Sequence, residues 1–102
     1  MIFVIATSDV KPGCREKFIE TALKNIPNVH AENGCIMYQL AGDFDSGFAA
    51  QQKYGENTLV FVECWENIEC LKAHLATPHM KKFMEDVKDL RTSSSLKVLS
   101  EF

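Results

Sequence analysis

Apolar residues along this chain switch between two spacings, and each switch marks the edge of an element. Ile2 to Thr7 is apolar at nearly every position, as expected of a strand covered on both faces. Lys11-Pro12-Gly13 punctuates a turn. Cys14, Phe18, Ala22, Ile26 and Val29 then recur at helical spacing, with Glu16, Glu20 and Lys24 turned outward. Pro27 is expected to end or kink this helix, and Asn33-Gly34 to close the turn behind it. Cys35 to Ala41 predicts a second strand in which Ile36, Tyr38 and Leu40 share a face. Thr58 to Trp65 is the clearest strand, with Leu59, Phe61, Glu63 and Trp65 on one face and Val60, Val62 and Cys64 on the other. Between these two strands, Gly42 to Asn57 carries turn residues and a weak alternation at Phe48, Ala50, Gln52 and Tyr54. An edge strand, an arm or a lid would fit that segment. Asn67 suits the N-cap of a helix with an inner stripe of Ile68, Leu71 and Leu75. Thr77-Pro78 restarts the chain into a helix striped by Met80, Phe83, Met84 and Val87. Ser93 to Ser95 reads as a polar break, and Leu96 to Leu99 as a last strand.

Strand, helix, strand, strand, helix pair, strand is the order of a ferredoxin-like α+β fold, β-α-β-β-α-β, with an antiparallel sheet and helices on one face. The helices leave the other sheet face bare, although its strands are apolar on both sides. A second copy of the chain covers that face most simply, so a homodimer joined through sheet faces is predicted. At 102 residues and 46% hydrophobic, residues 1–102 make one globular domain. Fourteen acidic against eleven basic residues leave a net charge of -3, which offers no footprint for nucleic acid or an anionic membrane. The apolar start is too short to span a bilayer and lacks a signal-peptide pattern, so a cytoplasmic location is expected. Cys14, Cys35, Cys64 and Cys70 form no CxxC pair and no metal-ligand spacing with histidine, and read as reduced apolar fillers.

Candidate chemistry is concentrated between Glu63 and Met80. This stretch holds the only tryptophan and two of the three histidines. His74 falls beside the Ile68/Leu71/Leu75 stripe, and His79 beside that of Met80, Phe83 and Met84. Either border position can line a cavity between helices and sheet or sit at its rim. Glu63, flanked on its strand face by Phe61 and Trp65, must be paired or hydrated, and could orient a histidine or form an ion pair with a lysine or arginine. Tyr38 could offer its hydroxyl to a bound phenolate. His30 closes the first helix, where a positive charge suits the helix dipole. Lys72, Lys81, Lys82 and Lys88 read as a solvated helix face. There is no phosphate loop, nucleophile elbow or paired-carboxylate motif.

Glu63-x-Trp65-Glu66-Asn67 followed by Leu71-x-Ala73-His74-Leu75-x-Thr77-Pro78-His79-Met80 resembles the signature of antibiotic biosynthesis monooxygenase domains, closest to the bacterial quinol monooxygenases. Lys11-Pro12-Gly13 and Glu32-x-Gly34-Cys35-x-x-Tyr38 fit the same pattern. The resemblance implies a dimeric α+β barrel. It also implies oxidation of a small aromatic or quinol-like substrate, a quinol or polyphenol, by dioxygen as co-substrate and with no metal or flavin. On this likeness His79 and His74 are the candidate bases, and Trp65, Tyr38, Glu63, Phe61 and Phe83 the candidate substrate contacts. The haem-degrading members carry an asparagine on the first strand. Here that strand ends Ala6-Thr7-Ser8, so haem is not expected. Breakdown or isomerisation of a small carbonyl signal molecule, and a non-catalytic small-molecule-binding dimer, are the competing readings.

Overall fold

The computed structural model describes all residues, Met1–Phe102. Its elements are β1 (Ile2–Val10), α1 (Arg15–His30), β2 (Cys35–Ala41), β3 (Thr58–Trp65), α2 (Ile68–Leu75), α3 (Pro78–Val87) and β4 (Arg91–Ser100). The strands form one antiparallel sheet in the order β2-β3-β1-β4, the ferredoxin-like arrangement. Val4 and Tyr38 both lie opposite Glu63, and Ala6 and Leu40 opposite Phe61. Alternation therefore sends Val4, Ala6, Ser8, Tyr38, Phe61, Glu63 and Trp65 to the helix-covered face. There they meet Phe18 and Ala22 of α1, Leu71 of α2, and Met80, Phe83 and Val87 of α3. Phe83 packs edge-on to Phe61 and to Phe18, with ring centroids 6.0 and 5.9 Å apart.

The opposite face carries Phe3, Ile5, Val62, Met37 and Leu99, with Met37 37% and Leu99 52% exposed. No helix is long and apolar enough to cross a membrane.

Four local expectations are corrected. Pro27 does not end α1, which runs on to His30. The hydrogen bond it forfeits is to the carbonyl of Leu23, on the exposed side of the helix, while Val29 beyond it is fully buried and holds the last turn to the core. Ile36 does not share Tyr38's face. The register shifts between Cys35 and Met37, so Ile36 is the extra residue of a bulge and is 53% exposed. Residues 42 to 57 form a loop and not an edge strand. The Asp43 carboxylate accepts from the amides of Tyr54 and Gly55, and the Gln51 side chain ties back to Ser46 and Phe44. Ser93 to Ser95 are no break, because β4 pairs with β1 from Arg91 onward. Ladder hydrogen bonds carry that stretch, where apolar alternation is absent.

Candidate functional site

Glu32, in the turn between α1 and β2, is the hub of the site. Its carboxylate accepts from His74 Nδ1 at 2.9 and 3.1 Å and from His79 Nε2 at 2.7 Å. Local sequence positions both imidazoles. The Asn67 side chain accepts from the amide of Cys70 and so starts α2. Thr77 caps α3 ahead of Pro78, and its hydroxyl also donates to the carbonyl of His74. The break between α2 and α3 thus sets the two histidines on either side of one carboxylate.

His74 is only 1% exposed. Its ring lies against Trp65, centroid to centroid 4.6 Å, and against Tyr38 at 5.3 Å. Trp65 is fully enclosed, and its indole N–H donates to Glu63 at 3.0 Å. Glu63 therefore orients the indole, and Glu32 orients the histidines.

A cavity of about 330 Å³ opens between the sheet and α2/α3. Its walls are mostly apolar, including Val4, Phe61, Leu71, Met80 and Phe83, and the polar groups Tyr38, Glu63 and His74 project among them. His74 Nε2, the second carboxyl oxygen of Glu63 and the Tyr38 hydroxyl have no partner in the chain. None of them is completely enclosed, and each belongs to a residue that lines the cavity.

Burial governs the electrostatics of these three groups. It pushes the Glu63 carboxyl up to about 7, against the indole hydrogen bond, with the charge of Glu32 adding to the rise. The Tyr38 hydroxyl is pushed well above its ordinary value, first by burial and then by Glu63 and Glu32. The His74 imidazole is lowered by burial, and the Glu32 hydrogen bond and charge oppose that fall. The site thus presents a neutral imidazole, a carboxyl near its midpoint at neutral pH, and a phenol held neutral.

Of the residues singled out from sequence, the cavity brings together Tyr38, Phe61, Glu63, His74 and Phe83. Trp65 stands behind His74 and is not part of the wall. His79 lies outside, in a surface cleft between α1 and α3 lined by residues such as Lys17, Asn25 and Lys82. In the sequence Glu32 stands out only as part of the Glu32-x-Gly34-Cys35-x-x-Tyr38 pattern. Its signal was an acid just past a helix C-terminus, where the dipole disfavours negative charge and some other partner is called for. No group of three or more His, Cys, Asp or Glu side chains is arranged to hold a metal ion.

A four-stranded antiparallel sheet with helices on one face defines the ferredoxin-like class of α+β proteins. Within it, the chain belongs to the antibiotic biosynthesis monooxygenase family, whose model matches residues 1–86. It is 35% identical over 101 residues to the Escherichia coli protein named "Probable quinol monooxygenase YgiN", covering 97% of this chain and 96% of that one. The Bacillus subtilis protein YcnE is 33% identical over 91 residues, 88% of this chain and 85% of its own length. Among solved structures, a conserved protein from Methanosarcina mazei superposes with a TM-score of 0.85 at 20% identity, covering 99% of this chain and 92% of that one, which is a likeness of fold.

Proposed function

We propose that the chain is a monooxygenase that oxidises a small quinol or polyphenol with dioxygen, with His74 as general base. The observation that carries this reading is the cavity itself. Three unpartnered polar groups meet in an apolar pocket, and the far nitrogen of the imidazole is held by a carboxylate. Glu32 accepts the Nδ1–H of His74, which leaves Nε2 as the free nitrogen of the ring. Glu32 is thus a positioning residue, and His79 braces it. The similarity to YgiN supports the substrate class.

The chemistry needs no external reductant, because the substrate supplies the electrons. A quinol hydroxyl gives its proton to His74 Nε2, and the imidazolium stays paired with Glu32. Tyr38 donates a hydrogen bond to the quinolate. The anion passes one electron to dioxygen, and the ring radical and superoxide combine to form a carbon–oxygen bond. The peroxide takes a proton from His74 or from neutral Glu63. Its O–O bond then breaks as the ring hydrogen leaves as a proton, giving a carbonyl and water. Quinol and dioxygen become hydroxyquinone and water. Apolar walls keep bulk water from the anion.

Oxygen uptake with a menadiol-like quinol and metal-free protein is the test. Wild type should consume oxygen, and His74→Ala should lose about 10²–10⁴ in kcat/KM. No uptake by wild type, or an unchanged His74→Ala rate, overturns the reading. Turnover that proceeds without oxygen would favour proton shuffling on a carbonyl substrate by the same Glu63 and His74.

We further propose that the bare sheet face joins two copies into a homodimer. The four free cysteines, two of them buried, suit a reducing cytoplasm.

A further inference from the structure

The cavity has a second polar end. Glu63 and Tyr38 lie level with Val4 of β1, whereas Arg91 lies level with Val10, six residues further along that strand. At ~3.3 Å per residue this is ~20 Å of strand, so the arginine side chain enters the cavity from the end away from His74. Ser8 and Ser94 face each other across β1 and β4 between these ends, and both line the cavity. Ser8 is 4% exposed and lines the cavity, and its hydroxyl has no partner in the chain and is not completely enclosed. The Ser94 hydroxyl is likewise unpaired.

Arg91 makes no ion pair. Its contact is a guanidinium N–H on the sulfur of Met84 at 3.8 Å. The nearest acid in register, Asp9, sits on the opposite sheet face with its carboxylate taken by Thr58 and Ser93. Among the cavity lining Arg91 is the only strong cation, and Glu63, at the other end, the only acid. A half-buried guanidinium beside two free hydroxyls, at the end of an apolar slot, is a receptor for an anionic group.

We propose that Arg91, with Ser8 and Ser94, binds a carboxylate carried on a short chain by the aromatic substrate, so that the preferred substrate is an acidic quinol and not a neutral one. This rests on the cavity being a quinol site. The ring hydroxyl lies at His74 and Glu63, the ring against Phe61 and Phe83, and the side chain runs along β1 to Arg91. Arg91 determines specificity and does not touch the reacting atoms.

The experiment compares 2,5-dihydroxyphenylpropionate with its methyl ester, which keeps the shape and removes the charge. In wild type the acid should show a KM at least about tenfold below that of the ester, as a charge-assisted hydrogen bond allows. Arg91→Met should erase the difference by raising the acid's KM toward that of the ester, and Arg91→Lys should restore part of it. Equal KM values for acid and ester in wild type, or a preference that survives in Arg91→Met, overturn the proposal. Binding of the same pair under argon, followed by calorimetry, separates the two readings. Preferential, Arg91-dependent binding of the acid without any oxygen uptake supports the anion receptor and overturns the monooxygenase. Oxygen uptake with no charge preference does the reverse.

Discussion

At the residue scale, the behaviour of this protein turns on how two carboxylates are used. Glu32 is spent on the histidines, and its effect on His74 is to offset the fall in basicity that burial causes. The imidazole acts as a base only when neutral, and its pKa lies below the ordinary value. Activity should therefore persist further into acid than for an exposed histidine and fall as pH drops through that lowered pKa. Glu32→Gln removes the contribution that raises the pKa. Its acid limb in kcat/KM against pH should move further down, with a plateau lower by about 10–100-fold as the base weakens and loses its fixed tautomer. A merely structural loss would lower the plateau without moving the limb.

Glu63 has the opposite sign from an ion-paired acid. Its folded pKa is raised from 4.5 to about 7, so between those values the folded state holds the proton more tightly than the unfolded one. Stability from this group is therefore lost as pH rises from about 4.5 through 7. Glu63→Gln, which keeps the indole acceptor and removes the charge, should raise stability at pH 8 by up to about 3 kcal/mol and by little at pH 4. Urea unfolding at the two values measures this, and an equal effect at both would mean that Glu63 is ionised without penalty in the fold.

At the element scale, the α1–β2 turn matters more than its length suggests, since it carries Glu32 and crosses α2. Gly34 has φ +78°, and a Cβ there would collide with the side chain of Cys70. Gly13 has a similar φ of +86° with nothing within 4 Å. Gly13→Ala should cost only the left-handed strain, about 1–2 kcal/mol. Gly34→Ala should cost that and about 1–3 kcal/mol more, because α2 must shift to make room. Displacing α2 moves His74, so Gly34→Ala should also slow turnover where Gly13→Ala does not. Thermal melts and oxygen uptake of the pair separate strain from packing.

The Thr58–Trp65 strand was legible because period-2 alternation sorts Phe61, Glu63 and Trp65 onto one face, and the fold keeps them there. The α2 and α3 boundaries were legible from Asn67 and Thr77-Pro78, which cap by local hydrogen bonds. Ile36 was misplaced because a bulge adds one residue and flips the parity of what precedes it. Leu75 was assigned to the inner stripe and is 48% exposed, at the cavity lining. His74, placed at the stripe's border, is enclosed, because Trp65 and Tyr38 from two strands close over its ring. Periodicity within a helix carries no information about what packs against its flank.

At the scale of the whole molecule, the two sheet faces are unequal. The helix-covered face holds the cavity, while the other leaves Phe3, Ile5, Val62 and Leu99 without a layer above them. A charge at its centre should be tolerated by a monomer and not by a dimer. Val62→Glu is expected to halve the mass seen by sedimentation, with far-UV circular dichroism unchanged. A wild-type protein that sediments as a monomer, or a Val62→Glu variant that stays dimeric, would rule out pairing through this face.

The sequence by itself determined the order of elements, the apolar faces and the stretch from Glu63 to Met80 as the seat of chemistry. These follow from spacing and capping, which act over a few residues. Only the tertiary structure decided which side chains meet. It set Glu32 between His74 and His79, 42 and 47 residues away along the chain, turned His79 out to a surface cleft, and brought Arg91 into the far end of the same cavity. Such meetings depend on strand register and on helix packing across the sheet, and those are properties of the folded chain as a whole.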